Sequence, residues 1–359
     1  MRPLSPSFWE LTGAPGPELP VALVFPFAGG SAHSVREWGE RLPGFRTIAV
    51  QYPGHGGRTG EPFAESVEEL AATLVKEYLA EFTEPPRLLL GHSMGSLVAL
   101  EAALVLEQHG TPADVLVVSA AGPPGTRAGG DGPLSENSHG SPLHLLDDEV
   151  LAASLVAAGG LPAETLNEPE LLALALPVVR HDFRLGWDYA SPSAGRTVSC
   201  PLVAVGGAAD AAVPAEVLRA WAPLTTGTFT TRTWPGGHFY YREELPGLDA
   251  LVRPARLRPA QSPAGDALSA PGAESAPVEP MESEVLRAVI EVWGELLPAT
   301  EVNGQTRFFE AGGTSIAAMR GCAKLSSRLG VRVPVKILLN HGRLDEFAVQ
   351  VSEIRRAAR

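Results

Sequence analysis

The sequence predicts an α/β fold with a mostly parallel sheet, followed by a small all-α bundle. Three observations carry this. Short apolar runs alternate with helix-period stretches over Val21–Ala121 and again from Pro201, the pattern of a parallel sheet covered on both faces. One of these runs, Leu88-Leu89-Leu90, leads through Gly91, Ser93 and Gly95 into a helical repeat of Leu97, Val98, Leu100, Ala103, Leu104 and Leu106. Finally, Pro254–Pro280 is dominated by Ala, Pro, Ser and Gly, has too few large apolar residues to bury a core, and precedes a strongly amphipathic tail.

Taken in order, Val21–Phe27 reads as a buried strand running into the small-residue loop Ala28–Ala32, then a helix holding Val35, Trp38 and Leu42. Arg46–Val50 is the next strand, closed by the turn cluster Tyr52–Arg58. Val67–Phe82 is an amphipathic helix carrying Leu70, Leu74, Tyr78 and Leu79. The Leu88 strand and its helix follow, and then the β-rich run Asp114–Ala121. Here the alternation stops. Gly122–Ser141 reads as a mobile loop, and Asp147–Ala158 and Glu168–Tyr189 as helices with more apolar residues than one stripe requires. A helical lid over about 135–190 would use that surplus to line a pocket; an ordinary buried helical hairpin is the plainer alternative. The sheet resumes at Pro201–Gly207, with a helix at Val213–Trp221, a strand at Thr228–Trp234 and a last helical stretch within Arg242–Val252, interrupted by Pro246-Gly247. Beyond the linker, helices are expected at Glu282–Leu297, Ser315–Leu329, Val335–Leu339 and Leu344–Ile354, a small bundle. The expected domains are therefore 1–253, a linker 254–280, and 281–359.

Composition narrows the classes of function. With 41 acidic and 28 basic side chains among 359 residues the net charge is −13, which argues against a nucleic-acid surface. No apolar run reaches membrane-spanning length, and the first residues lack the apolar core of a signal peptide. Cys200 and Cys322 fall in different expected domains and have no metal-ligand spacing, so neither a disulfide nor a metal is expected, and a reducing cytoplasm fits.

Strand, sharp turn and helix around Gly91-His92-Ser93-Met94-Gly95 are the setting of a nucleophile elbow. Such a turn strains the serine backbone and places it at a helix N-terminus, where amide N–H groups face developing negative charge. A serine hydroxyl needs a base. The α/β-hydrolase order Ser, Asp, His is met by Ser93, Asp210 and His238, each in a loop directly after an expected strand. Ser93 would attack a carbonyl, His238 would shuttle the proton, and Asp210 would orient the imidazole. The oxyanion hole is expected from the backbone N–H of Met94 and of Phe27 or Ala28. His92 adjoins the serine and should point away from it; His55, His144 and His181 lack so clear a post-strand setting, and Asp182 and Asp188 lie in the expected lid.

These residues also carry a resemblance. Phe25-Pro26-Phe27-Ala28-Gly29-Gly30-Ser31-Ala32, Tyr52-Pro53-Gly54, Gly91–Gly95, Leu176–Phe183, Gly206-Gly207 with Asp210, and Gly236-Gly237-His238-Phe239 resemble the type II thioesterases of polyketide and nonribosomal peptide synthesis. The resemblance runs in order over Phe25–Phe239. It implies an α/β-hydrolase sheet with a helical lid insertion, hydrolysing acyl or aminoacyl thioesters on carrier-protein phosphopantetheine. Phe27 stands where that family often has His or Tyr.

A second serine is not read as a nucleophile. Ser315 follows Gly312-Gly313-Thr314 and begins a helix, which a simple N-cap would also explain. Phe308-Phe309-Glu310, Gly312–Ile316 and the Trp293 helix, within Met281–Val351, resemble a peptidyl carrier domain, a small four-helix bundle. That resemblance implies that Ser315 receives 4′-phosphopantetheine from coenzyme A through a phosphopantetheinyl transferase. The implied partners are that transferase, acyl or aminoacyl carrier domains, and an adenylating enzyme, with no nucleic acid and no membrane. A linker of about 27 residues spans ~30 Å as a flexible chain, giving an effective concentration on the order of millimolar. Two other readings stay open: acyl transfer from Ser93 to an acceptor other than water, and a carrier that holds an amino acid for tailoring enzymes.

Overall fold

The computed structural model describes residues 1–11, 19–126, 134, 140–189, 195–252, 280–297, 302–308, 311, 315–340 and 343–357. The linker expected at 254–280, except its last residue, and most of the loop expected at Gly122–Ser141 lie outside these. The chain forms two compact units, Met1–Leu257 and Arg258–Arg359.

The first unit is built on eight strands: β1 (Arg2–Pro3), β2 (Phe8–Glu10), β3 (Val21–Phe25), β4 (Arg46–Val50), β5 (Leu88–His92), β6 (Val115–Ser119), β7 (Leu202–Gly207) and β8 (Phe229–Trp234). They lie in the order β1-β2-β4-β3-β5-β6-β7-β8. From β4 to β8 every pairing is parallel, with Val24 opposite both Ala49 and Leu90, and Gly91 opposite Val118. Strands β3, β5, β6 and β7 are buried along their whole length, which is why they read as continuous apolar runs rather than alternating ones. β1 and β2 are antiparallel additions: β2 pairs with β4 through Phe8↔Val50, and β1 pairs with β2 through Pro3↔Trp9. The expected strand Val21–Phe27 stops at Phe25, because Pro26 has no N–H to continue the ladder. The chain runs outward from β3 to β4, then crosses back to β5 on the other side of β3. In open α/β sheets such a reversal places the ligand crevice at the carboxyl ends of the strands.

Helices cover both faces. They are α1 (Trp38–Arg41), α2 (Val67–Glu81), α3 (Gly95–Gln108), α4 (Asp148–Ala157), α5 (Pro169–Asp188), α6 (Ala215–Arg219) and α7 (Leu248–Val252). The single helix expected around Val35, Trp38 and Leu42 is instead a 3₁₀ turn, Ala32–Val35, followed by the short α1. Both bury their apolar side chains under the sheet with Ala22, Val24 and Ala49. On the opposite face α2 and α3 pack with Leu23, Leu89 and Leu116. Helix α2 starts at Ser66, whose hydroxyl accepts the Glu69 N–H at 3.1 Å. Helix α3 is buried on nearly every side, so its residues show little amphipathic contrast. Helices α4 and α5 form the insertion, and Pro177 lies inside α5. Leu151, Leu155, Leu176 and Val179 form a small core of their own within it, while Leu145, Val150, Leu166 and Leu174 stay exposed.

The second unit contains α8 (Pro280–Gly294), α9 (Ser315–Leu329), α10 (Val335–Asn340) and α11 (Leu344–Ala357). Their apolar faces close on Val289, Trp293, Phe308, Leu325, Phe347 and Val351, a four-helix bundle with its own core. No helix among the described residues is long and apolar enough to cross a membrane.

Candidate active site

Ser93 sits in the turn between β5 and α3 with φ of 54°, a left-handed conformation that a non-glycine residue adopts at a cost. The flanking glycines make the turn geometrically possible. A Cβ on Gly91 would lie 2.1 Å from the Gly95 carbonyl oxygen, and one on Gly95 2.2 Å from that of Phe25. No side chain fits at either place, so strand, turn and helix can touch only through glycine. The Ser93 N–H donates to the Ser119 carbonyl at 2.7 Å, which holds the strained residue against β6.

Asp210 lies in the turn after β7 and His238 in the loop after β8. The structure brings them together: His238 Nδ1 is 2.8 Å from Asp210 Oδ2, with both side chains buried. Asp210 Oδ1 accepts the Ala212 N–H at 3.1 Å. A carboxylate placed this way accepts a hydrogen bond from Nδ1–H, which leaves Nε2 as the basic nitrogen of the ring. Ser93, Asp210 and His238 thus follow β5, β7 and β8 at the same carboxyl edge of the sheet.

Phe27 and Ala28 lie in the loop after β3, and Met94 follows Ser93 directly at the start of α3. That β3 loop is held from three directions. Tyr52 Oη donates to the Pro26 carbonyl at 2.9 Å, Gly30 N–H to the Phe27 carbonyl at 2.8 Å, and Gly29 N–H to Asp182 Oδ2 at 2.7 Å. The ring of Phe27 meets that of Phe239 edge-on at 4.9 Å, and Phe239 abuts His238 at 5.2 Å. Arg242 covers Phe239 and donates to the Gly159 carbonyl at 2.8 Å, so the turn after α4 is fastened to the histidine loop.

The four other histidines weighed from the sequence each have their own surroundings. His92 is fully buried, yet its ring lies 5.2 Å from that of His238. Burial, then the neighbouring His238 and Arg242, push its pKa well below the usual value, so the ring is neutral. His55 and Asp182 form a second buried His–carboxylate contact, 2.8 Å, between the turn after β4 and lid helix α5. Sequence spacing did not suggest this pair. His181 stacks on Phe63 at 4.4 Å, and His144 lies beside Trp187 at 5.8 Å; burial lowers the pKa of both. Asp188 ends α5.

In the second unit Ser315 is the first residue of α9, a 15-residue helix. The preceding Gly312–Thr314 lie outside the described residues. A hydroxyl-bearing residue at the start of a helix of this length fits a phosphodiester, because the first-turn amides and helix dipole favour an anion there.

A doubly wound sheet with an elbow serine after its central strand and a helical insertion before β7 defines an α/β hydrolase. The thioesterase domain family matches residues 22–255, and a phosphopantetheine attachment domain matches residues 287–349. The chain belongs to the thioesterase family, is a thioester hydrolase, and carries a domain for covalent 4′-phosphopantetheine. It is 36% identical over 249 residues to thioesterase PikA5 of Streptomyces venezuelae, covering 68% of this chain and 84% of that protein. It is 34% identical over 247 residues to a probable cadicidin biosynthesis thioesterase of Streptomyces griseus, covering 67% of this chain and 64% of that one. Among solved structures it is similar to BorB, the type II thioesterase of the borrelidin biosynthetic cluster. There the identity is 34% and the TM-score 0.57, over 69% of this chain and 95% of BorB.

Proposed function

We propose that this chain hydrolyses acyl or aminoacyl thioesters carried by carrier-protein phosphopantetheine in a polyketide or nonribosomal peptide pathway, with Ser93 as nucleophile, His238 as general base and acid, and Asp210 as its orienter. The observation that carries the reading is the buried His238–Asp210 contact of 2.8 Å, at the same sheet edge as a serine with φ of 54°. In this reading His238 Nε2 takes the Ser93 Oγ proton as Oγ adds to the thioester carbonyl. Backbone N–H groups of Met94 and of Phe27 or Ala28 stabilise the oxyanion. The C–S bond breaks, and His238 returns its proton to the departing thiolate. Water, deprotonated by the same nitrogen, then adds to the Ser93 ester, and the free acid leaves with Ser93 restored. Thioester and water give acid and thiol, with no other reactant.

Ser315 is the proposed attachment residue of the chain's own carrier unit. When attached there, 4′-phosphopantetheine supplies the thiol on which an acyl group is held. A phosphopantetheinyl transferase, carrier domains and an adenylating enzyme are the partners this reading implies. The test is release of free acid from a purified acyl-loaded holo carrier, followed by chromatography, with wild type and Ser93→Ala side by side. The reading requires release by the first and not by the second. Release of an amide or ester instead of the acid would replace hydrolysis by acyl transfer.

A further inference from the structure

The residue best connected to both halves of the site is one that does no chemistry. Ser119 ends β6 and is wholly buried. In the β5–β6 register it lies directly opposite His92. Its carbonyl accepts the N–H of Ser93 at 2.7 Å, and its own N–H donates to Ser96 Oγ at 3.1 Å, in the first turn of α3. Its hydroxyl bridges two further groups: His92 Nδ1 at 2.9 Å and Tyr240 Oη at 2.8 Å. Tyr240 follows His238 by two residues and stacks on Trp234 at 6.0 Å. One residue thus contacts the elbow through its backbone and the histidine loop through its side chain.

The direction of the chain follows from counting donors. Tyr240 has one proton to give, and among the described residues its hydroxyl meets Ser119 Oγ alone. If Tyr240 donates to Ser119, Ser119 donates to His92 Nδ1. Only His92 Nε2, which has no partner among the described residues, is then left over. The reverse direction strands both the Tyr240 proton and His92 Nε2 in a dry interior, and each unpaired buried group is costly. The order Tyr240 to Ser119 to His92 is therefore favoured, and it fixes the His92 ring beside His238.

We propose that Ser119 is a positioning residue, coupling the Ser93 elbow to the His238 loop through the Tyr240–Ser119–His92 chain. This rests on the reading of Ser93 and His238 as nucleophile and base. Without the hydroxyl bridge the two loops remain folded but lose their common reference, and misplacement by a fraction of an ångström lowers turnover more than binding.

The test compares Ser119→Ala, Tyr240→Phe and the double variant with wild type, as kcat and KM for an acyl thioester, at a temperature where circular dichroism shows each fully folded. Each single change is expected to lower kcat roughly tenfold with KM within about twofold. The double variant is expected to be no slower than the slower single, since both break one chain. Should Ser119→Ala not fold, Tyr240→Phe carries the test alone, because it removes one oxygen and keeps the ring on Trp234. Unchanged kcat with only a lower melting temperature would overturn the proposal. So would losses that multiply in the double variant, or a rise in KM without a fall in kcat. Ser93→Ala is assayed in parallel: if it hydrolyses normally the reading of the site fails, whereas an inert Ser93→Ala beside an unaffected Tyr240→Phe sinks the positioning role alone.

Discussion

His55 and Asp182 meet at 2.8 Å in the interior, each almost inaccessible to water, and join the turn after β4 to lid helix α5. Both ring nitrogens of His55 face acceptors: Nε2 faces the Asp182 carboxylate, and Nδ1 lies 2.8 Å from the Pro53 carbonyl. A ring so placed is best satisfied as the doubly protonated cation. Burial opposes that charge, but the Asp182 hydrogen bond and charge, helped by Pro53, outweigh burial and the nearby Arg58. His55 is thereby held above its ordinary value of 6.5. The same Asp182 oxygen accepts the Gly29 N–H at 2.7 Å, so lid, turn and β3 loop share one carboxylate.

The pH dependence of the fold follows. A histidine whose folded pKa is raised adds stability that is complete below its unfolded value and is lost as pH rises through the folded one. Replacing His55 by Gln should therefore cost about 3 kcal/mol in mildly acidic solution, and less once pH has risen through the raised folded value. Urea unfolding of both proteins across a series of pH values upward from mildly acidic solution measures the difference. A cost that never declines across the alkaline range in which wild type stays folded would mean that the pair is not ionic. Asp182→Ala should cost roughly 3–5 kcal/mol, because it leaves the buried His55 ring and the Gly29 N–H without their shared acceptor.

For the chemistry, Ser93→Ala should lower thioester hydrolysis by at least about a thousandfold while leaving the fold intact, since oxyanion donors alone retain only residual catalysis. His238→Ala should match it, and Asp210→Asn should fall less far. Steady-state rates on a small acyl thioester decide this, and a folded Ser93→Ala near the wild-type rate would remove Ser93 from the mechanism.

What the sequence revealed, and what it hid, follow the range of the interactions involved. Strands β3 to β7 were legible because a parallel strand buried on both faces is a local apolar run. Ser93 and Asp210 stood out because each follows such a run, and His238 because it follows the short expected strand Thr228–Trp234. β1 and β2, with two and three residues, are too short to show any period and exist only by pairing, β2 on β4 and β1 on β2. The helix drawn through Val35 and Leu42 had the right apolar spacing, but spacing does not register the break between the 3₁₀ turn and α1. His55 and Asp182 are 127 positions apart, and Ser119 and Tyr240 are 121 apart. Neither pair carries a motif, and only the folded chain brings its members into contact.

In the second unit, a Cβ on Gly321 would lie 1.6 Å from Trp293 Cζ3, inside the indole of the neighbouring helix. Gly→Ala within a helix normally adds about 1 kcal/mol of stability. Here the indole, packed on Phe308 at 4.8 Å and Phe347 at 6.3 Å, must shift, and overpacking of a filled core costs roughly 1–3 kcal/mol or more. The clash should win. Gly321→Ala is expected to speed amide hydrogen exchange in α8 and α9 without changing it in β3 to β7. Slower exchange in α9 would mean that helix propensity dominates.

The last prediction separates the two serines. If Ser315 is the attachment residue, Ser315→Ala should gain no mass on incubation with coenzyme A and a phosphopantetheinyl transferase, whereas wild type gains one phosphopantetheine group by intact-protein mass spectrometry. The helix start is a suitable seat for the phosphodiester because first-turn amides and the helix dipole of α9 face an anion there. The substitution removes a single oxygen, so the core around Trp293 and Phe347 should keep its melting behaviour. Hydrolysis of a small soluble thioester should be unchanged, because that substrate needs Ser93 and no carrier. Ser93→Ala should show the converse, full phosphopantetheinylation with no hydrolysis. An adduct that persists in Ser315→Ala would move the attachment to another residue, and a parallel loss of hydrolysis would mean that the two units do not act as separate sites.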